Sequence, residues 1–108
     1  MSGEALLSSS RTIEMSIPPP SAKGYTIYSK SGCPYCDRAK RMLAYEDTTV
    51  IDCDALLFDR DFFLDTMRGY CGREYQMFPM IFHNGRFLGG YDDAKVYYEG
   101  ELISCNDF

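Results

Sequence analysis

A chain of 108 residues supports one compact domain, because two shorter pieces would each bury too little surface to be stable. Its 45% hydrophobic and 25% charged residues are typical of a globular protein, and a formal net charge of -5 without a basic run argues against nucleic-acid binding. The apolar stretches are short, and Glu4 stands where an export signal would be basic, so we expect neither a membrane protein nor a secreted one.

Residues 1–23 are predicted to form a flexible leader to which we assign no chemistry. They contain Ser8-Ser9-Ser10 and Pro18-Pro19-Pro20 and show no sustained helical or alternating apolar pattern. The character of the sequence changes at Gly24, and we place a single domain over residues 24–108.

A strand, a helix and a second strand are predicted to follow in that order. Residues 25–28 are β-branched and aromatic, which indicates a buried strand that ends in a polar turn. A helix is expected from Pro34, because a proline at the first helical position loses no hydrogen bond. Residues 48–51 are the second strand, and a right-handed crossover makes it parallel to the first.

A second helix is predicted to begin at Asp54, whose side chain can cap it. Ala55, Phe58 and Phe62 recur at helical spacing and form its expected apolar face, with Met67 as a further candidate.

The last predicted elements are a hairpin and a short helix. Asn84-Gly85 separates residues 80–82 from residues 86–88 and supplies the two positive φ angles of a tight turn. This antiparallel pair makes the sheet mixed. A final helix is expected from Asp92 or Asp93 to about residue 98, with Gly100 ending it.

Two thiols stand three residues apart in Cys33-Pro34-Tyr35-Cys36, where the first turn meets the first helix. Both thiols can then face the same side of the first helical turn, which permits a reversible disulfide. Unpaired N–H groups and the positive end of the helix dipole stabilise an anion at Cys33, so we expect it to be the attacking thiolate. Cys36 is further into the helix and is the expected resolving thiol.

Zinc binding and simple packing are the alternatives for this pair. Zinc needs four ligands, whereas Cys53, Cys71 and Cys105 are isolated and His83 has no partner at metal-ligand spacing. We therefore expect no metal. An odd count of five cysteines without an export signal also favours a reducing, cytoplasmic compartment over a disulfide framework.

Three separated segments resemble the glutaredoxin family, and the similarity extends over about residues 24–100. Residues 28–36 are similar to its active-site segment, in which Pro-Tyr between the cysteines marks the two-thiol (dithiol) branch. Phe78-Pro79 resembles the family's Val-Pro, whose proline is cis, and residues 89–93 resemble its Gly-Gly-x-x-Asp glutathione motif. The resemblance implies a thioredoxin-like α/β fold, with a four-stranded mixed sheet flanked by helices.

The resemblance also implies a groove for glutathione. The backbone of Phe78, before Pro79, would pair with this extended tripeptide. The N–H of Asp92 would hold the α-carboxylate of the γ-glutamyl group, and the Asp93 carboxylate would hold its ammonium. Gly90 would let the backbone approach the ligand closely. Further expected glutathione ligands are Lys30, Tyr35 and Gln76.

Each of these residues also has a purely structural alternative. Asp92 and Asp93 are suitable helix caps, Pro79 suits the start of an edge strand, and Lys30 can be an ordinary solvated lysine. Met77-Phe78 replaces the smaller Thr-Val pair that is usual in the family, which predicts a bulkier and more apolar groove.

These features predict a monomeric glutathione-dependent thiol-disulfide oxidoreductase. It would reduce protein disulfides and protein-glutathione mixed disulfides, with glutathione as electron donor and no nucleic-acid or membrane partner. The alternative is an iron-sulfur cluster carrier that uses Cys33 and glutathione, although carriers in the family usually lack Pro34 or the second cysteine. A thioredoxin is disfavoured because the active-site segment of that branch resembles Trp-Cys-Gly-Pro-Cys, whereas this chain has no Trp.

Overall fold

The computed structural model describes residues 16–106, with side chains to residue 101. Over this part of the chain, four strands form one sheet: β1 (Tyr25–Ser29), β2 (Thr48–Asp52), β3 (Met80–His83) and β4 (Arg86–Gly89). The helices are α1 (Pro34–Met42), α2 (Arg60–Cys71) and α3 (Tyr91–Asn106), and a short 3-10 helix (Leu56–Asp59) precedes α2.

The sheet is mixed, with the order β2-β1-β3-β4. β1 pairs in parallel with β2, and β3 pairs antiparallel with both β1 and β4. Every residue of β1 is buried, as expected of a central strand covered on both faces. In the hairpin turn, Asn84 has φ 52° and Gly85 has φ 84°, the left-handed values that this turn requires. The predicted four-stranded α/β fold is confirmed.

Successive residues of β1 and β3 point to opposite faces of the sheet and so build two hydrophobic clusters. One face presents Tyr25, Ile27 and Ile81 to α1 and α3. The other presents Tyr28, Met80 and Phe82 to α2. The residues that complete these clusters are Ala39 of α1 and Leu43, which follows α1, with Phe63 and Met67 of α2 and Ala94 of α3.

The end of the predicted leader packs against the domain. Ile17 is only 3% exposed and lies in the cluster under α2. The Tyr28 hydroxyl donates a hydrogen bond to the Pro18 carbonyl at 2.7 Å, and the Tyr70 hydroxyl donates to the Ile17 carbonyl at 2.7 Å. Packing therefore begins at Ile17, before the expected domain boundary at Gly24. Residues 1–15 of the predicted leader lie outside the described part of the chain.

The prediction for the second helix was wrong in its start and, except at Met67, in its buried face. Asp59, and not Asp54, is the N-cap of α2, and its side chain accepts a hydrogen bond from the Phe62 N–H at 3.1 Å. Phe58 is 97% exposed and Phe62 is 41% exposed, whereas Phe63 and Met67 are buried. The 3-10 helix before α2 has three residues per turn, which shifts the phase of the apolar positions.

α3 continues through Gly100, which was expected to end it. A glycine inside a helix destabilises it by about 1 kcal/mol relative to alanine, an amount that tertiary contacts can exceed. Such contacts precede Gly100: the Tyr97 hydroxyl lies 2.7 Å from His83 Nδ1, and the Tyr98 hydroxyl donates to Glu46 at 2.8 Å.

Among the described helices, none combines the length and the apolar character needed to cross a bilayer.

Candidate functional site

Cys33 is the N-cap of α1. Its backbone is extended, with φ -119° and ψ 100°, and its Sγ accepts a hydrogen bond from the Cys36 N–H at 3.2 Å. The sulfur thus occupies the place of the usual capping oxygen and satisfies one of the N–H groups that a helix start leaves unpaired. Both this hydrogen bond and the helix dipole favour a negative charge on the sulfur.

The two thiols differ in burial, and the inner one favours its protonated form. Both cysteines are in the free thiol form. Cys33 retains 8% of its surface, whereas Cys36 is fully buried. Burial, followed by the hydrogen bond with Cys33, raises the pKa of Cys36. Cys33 is therefore the more accessible of the two residues, and the thiol behind it favours its protonated form.

The loop before Cys33 is tied to the end of β2. The Ser31 N–H donates to Asp54 Oδ1 at 2.9 Å, and the Ser31 hydroxyl donates to Asp54 Oδ2. These two hydrogen bonds hold the pKa of the Asp54 carboxyl below its usual range. Asp54, predicted as a helix cap, therefore holds the loop that leads to Cys33.

A groove opens beside this loop, at the junction of β3 and the start of α3. The Phe78-Pro79 peptide bond in its wall is cis, as the family resemblance implied. The residues that line the groove are Tyr35, Tyr75, Met77, Phe78, Pro79, Gly90, Tyr91, Asp92 and Asp93. This set includes six of the eight predicted glutathione ligands, which are Tyr35, Phe78, Pro79, Gly90, Asp92 and Asp93.

The other two predicted ligands lie outside the lining. Lys30 is exposed, and its Nζ lies 5.4 Å from the centroid of the Phe78 ring, so it places a positive charge beside the groove. Gln76 is exposed and is not one of the lining residues. The structure therefore brings Lys30 near the groove and leaves Gln76 outside it.

Two glycines at the groove are required by close contacts. Gly89 has φ 130°, and a Cβ there would collide with the Asp93 carboxylate. A Cβ on Gly90 would lie 2.7 Å from the Tyr75 hydroxyl oxygen, well inside van der Waals contact. Gly90 was expected to let the backbone approach a ligand closely; the close neighbour in the structure is the Tyr75 side chain, and approach to a ligand stays a prediction.

Sequence reasoning did not single out two aromatic residues that line the groove, Tyr75 and Tyr91. The Tyr91 ring lies 5.9 Å from that of Tyr35. Tyr91 stands inside the glycine-aspartate motif of residues 89–93, so its place in the groove could have been predicted from that motif. Tyr75 belongs to an irregular loop and reaches the groove through contact with Phe87 of β4, which no periodicity reveals.

A metal site is not indicated by the side chains that the structure describes. Among them, no group of three or more His, Cys, Asp or Glu residues is placed to hold a metal ion.

Comparisons with known proteins agree on one family. The sequence model of the glutaredoxin family matches residues 25–88. Glutaredoxin-C4 of Arabidopsis thaliana is 39% identical over 80 residues, which cover 70% of this chain and 56% of that protein. The chain spans about half the length of the curated relatives it matches.

Solved structures show the same fold. Reduced Escherichia coli glutaredoxin has a TM-score of 0.61 and 25% sequence identity, with 74% of this chain and 98% of that chain covered. A buckwheat glutaredoxin-glutathione complex has a TM-score of 0.58 at 23% identity, with 77% of this chain and 76% of that chain covered. The described strands and helices thus form a thioredoxin-like fold.

Proposed function

The chain belongs to the glutaredoxin family, and on that premise we propose that it is a glutathione-dependent thiol-disulfide oxidoreductase. Its proposed substrates are protein disulfides and protein-glutathione mixed disulfides. The observation that carries this proposal is the position of Cys33, whose Sγ caps α1 and accepts a hydrogen bond from the Cys36 N–H, and which is less buried than Cys36. A sulfur so placed is a nucleophile with a second thiol within the same helical turn.

With a mixed disulfide, Cys33 acts alone. Its thiolate attacks the glutathione sulfur, forms a Cys33-glutathione disulfide and expels the target as a thiolate, which takes up a proton. The thiolate of a second glutathione then attacks the glutathione sulfur of this intermediate. Glutathione disulfide leaves, and the Cys33 thiolate is restored.

With a protein disulfide, the second thiol takes part. Cys33 attacks one sulfur of the target and forms a mixed disulfide with it. Cys36 loses its proton and attacks Cys33 Sγ, so that a Cys33-Cys36 disulfide forms and the target leaves with both sulfurs reduced. Two glutathione molecules then reduce the internal disulfide. Burial of Cys36 keeps it protonated until the target is held on Cys33.

The groove supplies the contacts for glutathione. We assign backbone pairing with the tripeptide to Phe78 and attraction of the glycyl carboxylate to Lys30. The N–H of Asp92, in the first turn of α3, attracts the α-carboxylate of the γ-glutamyl group. The Asp93 carboxylate attracts the ammonium of the same group. A buckwheat glutaredoxin of the same fold forms a complex with glutathione, which supports this assignment.

A coupled assay tests the roles of the two thiols. We expect Cys33→Ser to abolish glutathione-dependent reduction of a small glutathione mixed disulfide, because no other sulfur occupies the helix cap. Cys36→Ser is expected to retain this activity and to lose reduction of a protein disulfide. NADPH oxidation through glutathione reductase measures both reactions.

Cys71→Ser serves as the control, since Cys71 ends α2 and is absent from the groove lining. Equal losses in the Cys33 and Cys36 variants, or no loss in either, would contradict the assigned roles. A brown, dimeric product on purification would instead support the iron-sulfur carrier.

A further inference from the structure

The hydroxyl of Tyr75 enters the groove without a partner. Tyr75 is half-buried and lines the groove beside Gly90. Among the residues that the structure describes, none forms a hydrogen bond with this hydroxyl. A partly desolvated phenol usually has a hydrogen-bond partner, so this donor is available to a bound ligand.

Packing fixes the direction of the Tyr75 side chain. Its ring meets the Phe87 ring edge to face, with the centroids 4.9 Å apart. The Arg73 guanidinium covers both rings, 5.4 Å from the centroid of Tyr75 and 5.0 Å from that of Phe87. Because the ring is already held, ligand binding loses little of its conformational entropy.

The Tyr75 hydroxyl lies over the backbone that leads into α3. A Cβ on Gly90 would be 2.7 Å from the Tyr75 oxygen, which places that oxygen next to the peptide before the first helical residue. The first N–H groups of a helix have no partner within the helix, and they attract a carboxylate. A carboxylate bound at the start of α3 therefore lies within reach of Tyr75.

The Tyr75 hydroxyl and the Asp93 carboxylate, both at this end of the groove, differ in charge. Burial, followed by the charge of Asp93, raises the pKa of Tyr75, so the phenol remains a donor. The Asp93 carboxylate lies against Gly89, whereas the Tyr75 hydroxyl lies against Gly90. One group suits an ammonium and the other suits a carboxylate, and both belong to the head of a free α-amino acid.

We propose that Tyr75 is a specificity residue whose hydroxyl donates a hydrogen bond to the α-carboxylate of the γ-glutamyl group. With Asp93 it would select thiols that carry a free amino-acid head over small thiols and peptides that lack one. This inference rests on the proposed function, because it concerns the same groove and the same tripeptide.

A pair of substrates and a single-atom change test this contact. The first substrate is the mixed disulfide of glutathione with a small peptide, and the second replaces the γ-glutamyl group by 4-aminobutyryl, which lacks only the α-carboxylate. We expect Tyr75→Phe to raise KM for the glutathione substrate roughly tenfold with kcat little changed, and to leave KM for the analogue as in the unmodified chain.

Tyr45→Phe is the matched control, because the Tyr45 side chain is 99% exposed. It should leave both KM values unchanged. Phenylalanine at position 75 retains the packing with Phe87 and Arg73, and a thermal melt checks that the variant is folded.

The outcomes distinguish a failure of the Tyr75 contact from a failure of the proposed function. Equal KM increases for both substrates, or no increase for either, would overturn the role of Tyr75 while leaving the proposed function intact. Failure of the unmodified chain to turn over the glutathione substrate would overturn the proposed function, and the inference with it, before any variant is measured.

Discussion

Buried ionisable side chains make the stability of this protein depend on pH. Cys53 is fully buried in the cluster under α2, and burial is the main factor that raises the pKa of its thiol to about 12. Burial likewise raises the pKa of Tyr25 to about 12 and that of Cys71 to about 11. In the unfolded chain these groups have their ordinary pKa values, which are about 8.5 for a cysteine thiol and about 10 for tyrosine.

Stability is therefore expected to fall in alkaline solution, and Cys53 contributes to the slope. Between the unfolded and folded pKa values the folded state retains a proton that the unfolded state has lost, so the free energy of unfolding decreases as pH rises. One such group contributes about 1.4 kcal/mol per pH unit. Between about pH 9 and 11, the free energy of unfolding should therefore fall less steeply with pH in Cys53→Ala than in the unmodified chain. The expected difference in slope is about 1.4 kcal/mol per pH unit.

Urea unfolding at several pH values measures these slopes. Absolute stability will be lower in the variant at neutral pH, because a buried side chain has been shortened, but the prediction concerns only the difference in slope. Parallel lines for the two proteins would show that Cys53 titrates alike in the folded and unfolded chains, contrary to its burial.

At the scale of elements, Gly90 lets the loop before β3 lie close to the start of α3, because glycine has no Cβ to meet the Tyr75 hydroxyl. We expect Gly90→Ala to lower the free energy of unfolding because its Cβ meets the Tyr75 hydroxyl. In a Tyr75→Phe background this oxygen is absent, and the nearest remaining atoms are 3.7 Å or more away. The loss should then be smaller, with a coupling of about 0.5–3 kcal/mol between the two changes.

Gly69→Ala provides the control for this cycle. Gly69 lies in α2, where a new Cβ meets nothing within 4 Å, so alanine is expected to stabilise the helix by up to about 1 kcal/mol in either background. Chemical denaturation of the unmodified chain, the three groove variants and Gly69→Ala in both backgrounds measures these terms. Equal losses for Gly90→Ala in both backgrounds would show that the Tyr75 ring simply moves aside.

Elements were predictable from sequence where a local rule decides the backbone. Pro34 begins α1 and Asn84-Gly85 turns the hairpin, because each restricts or supplies φ angles at its own position. The start of α2 was missed because the side chain of Asp54 has a distant partner in Ser31, which is 23 residues away. Gly100 failed to end α3 because contacts of Tyr97 and Tyr98 outweigh its local preference.

The same distinction applies to the candidate site. Cys33, Pro79 and Asp93 were identified because they belong to short motifs, and a motif is local in sequence. Tyr75 was not identified, because its place in the groove follows from packing against Phe87 and from the missing side chain of Gly90. Contacts between a loop and a strand on either side of a cis proline are not encoded in the spacing of either segment.

At the scale of the whole molecule, the domain includes residues that precede its first strand. Ile17 fills the cluster between α2 and the sheet, and its carbonyl and that of Pro18 accept the hydroxyls of Tyr70 and Tyr28. The proline run suits this position, because Pro18 and Pro19 have no N–H groups to leave unpaired while their carbonyls remain acceptors. The segment therefore belongs to the packed core between α2 and the sheet.

Truncation of this one side chain should destabilise the whole fold. We expect Ile17→Ala to lower the free energy of unfolding by about 2–5 kcal/mol, the range for isoleucine in a packed core. Pro19→Ala, at an exposed position two residues later, should change it by less than about 0.5 kcal/mol. Urea denaturation of the three proteins measures both effects. If Ile17→Ala were as stable as the unmodified chain, residues 16–23 would not pack on the domain in solution, and the core would begin at β1 as the sequence alone predicts.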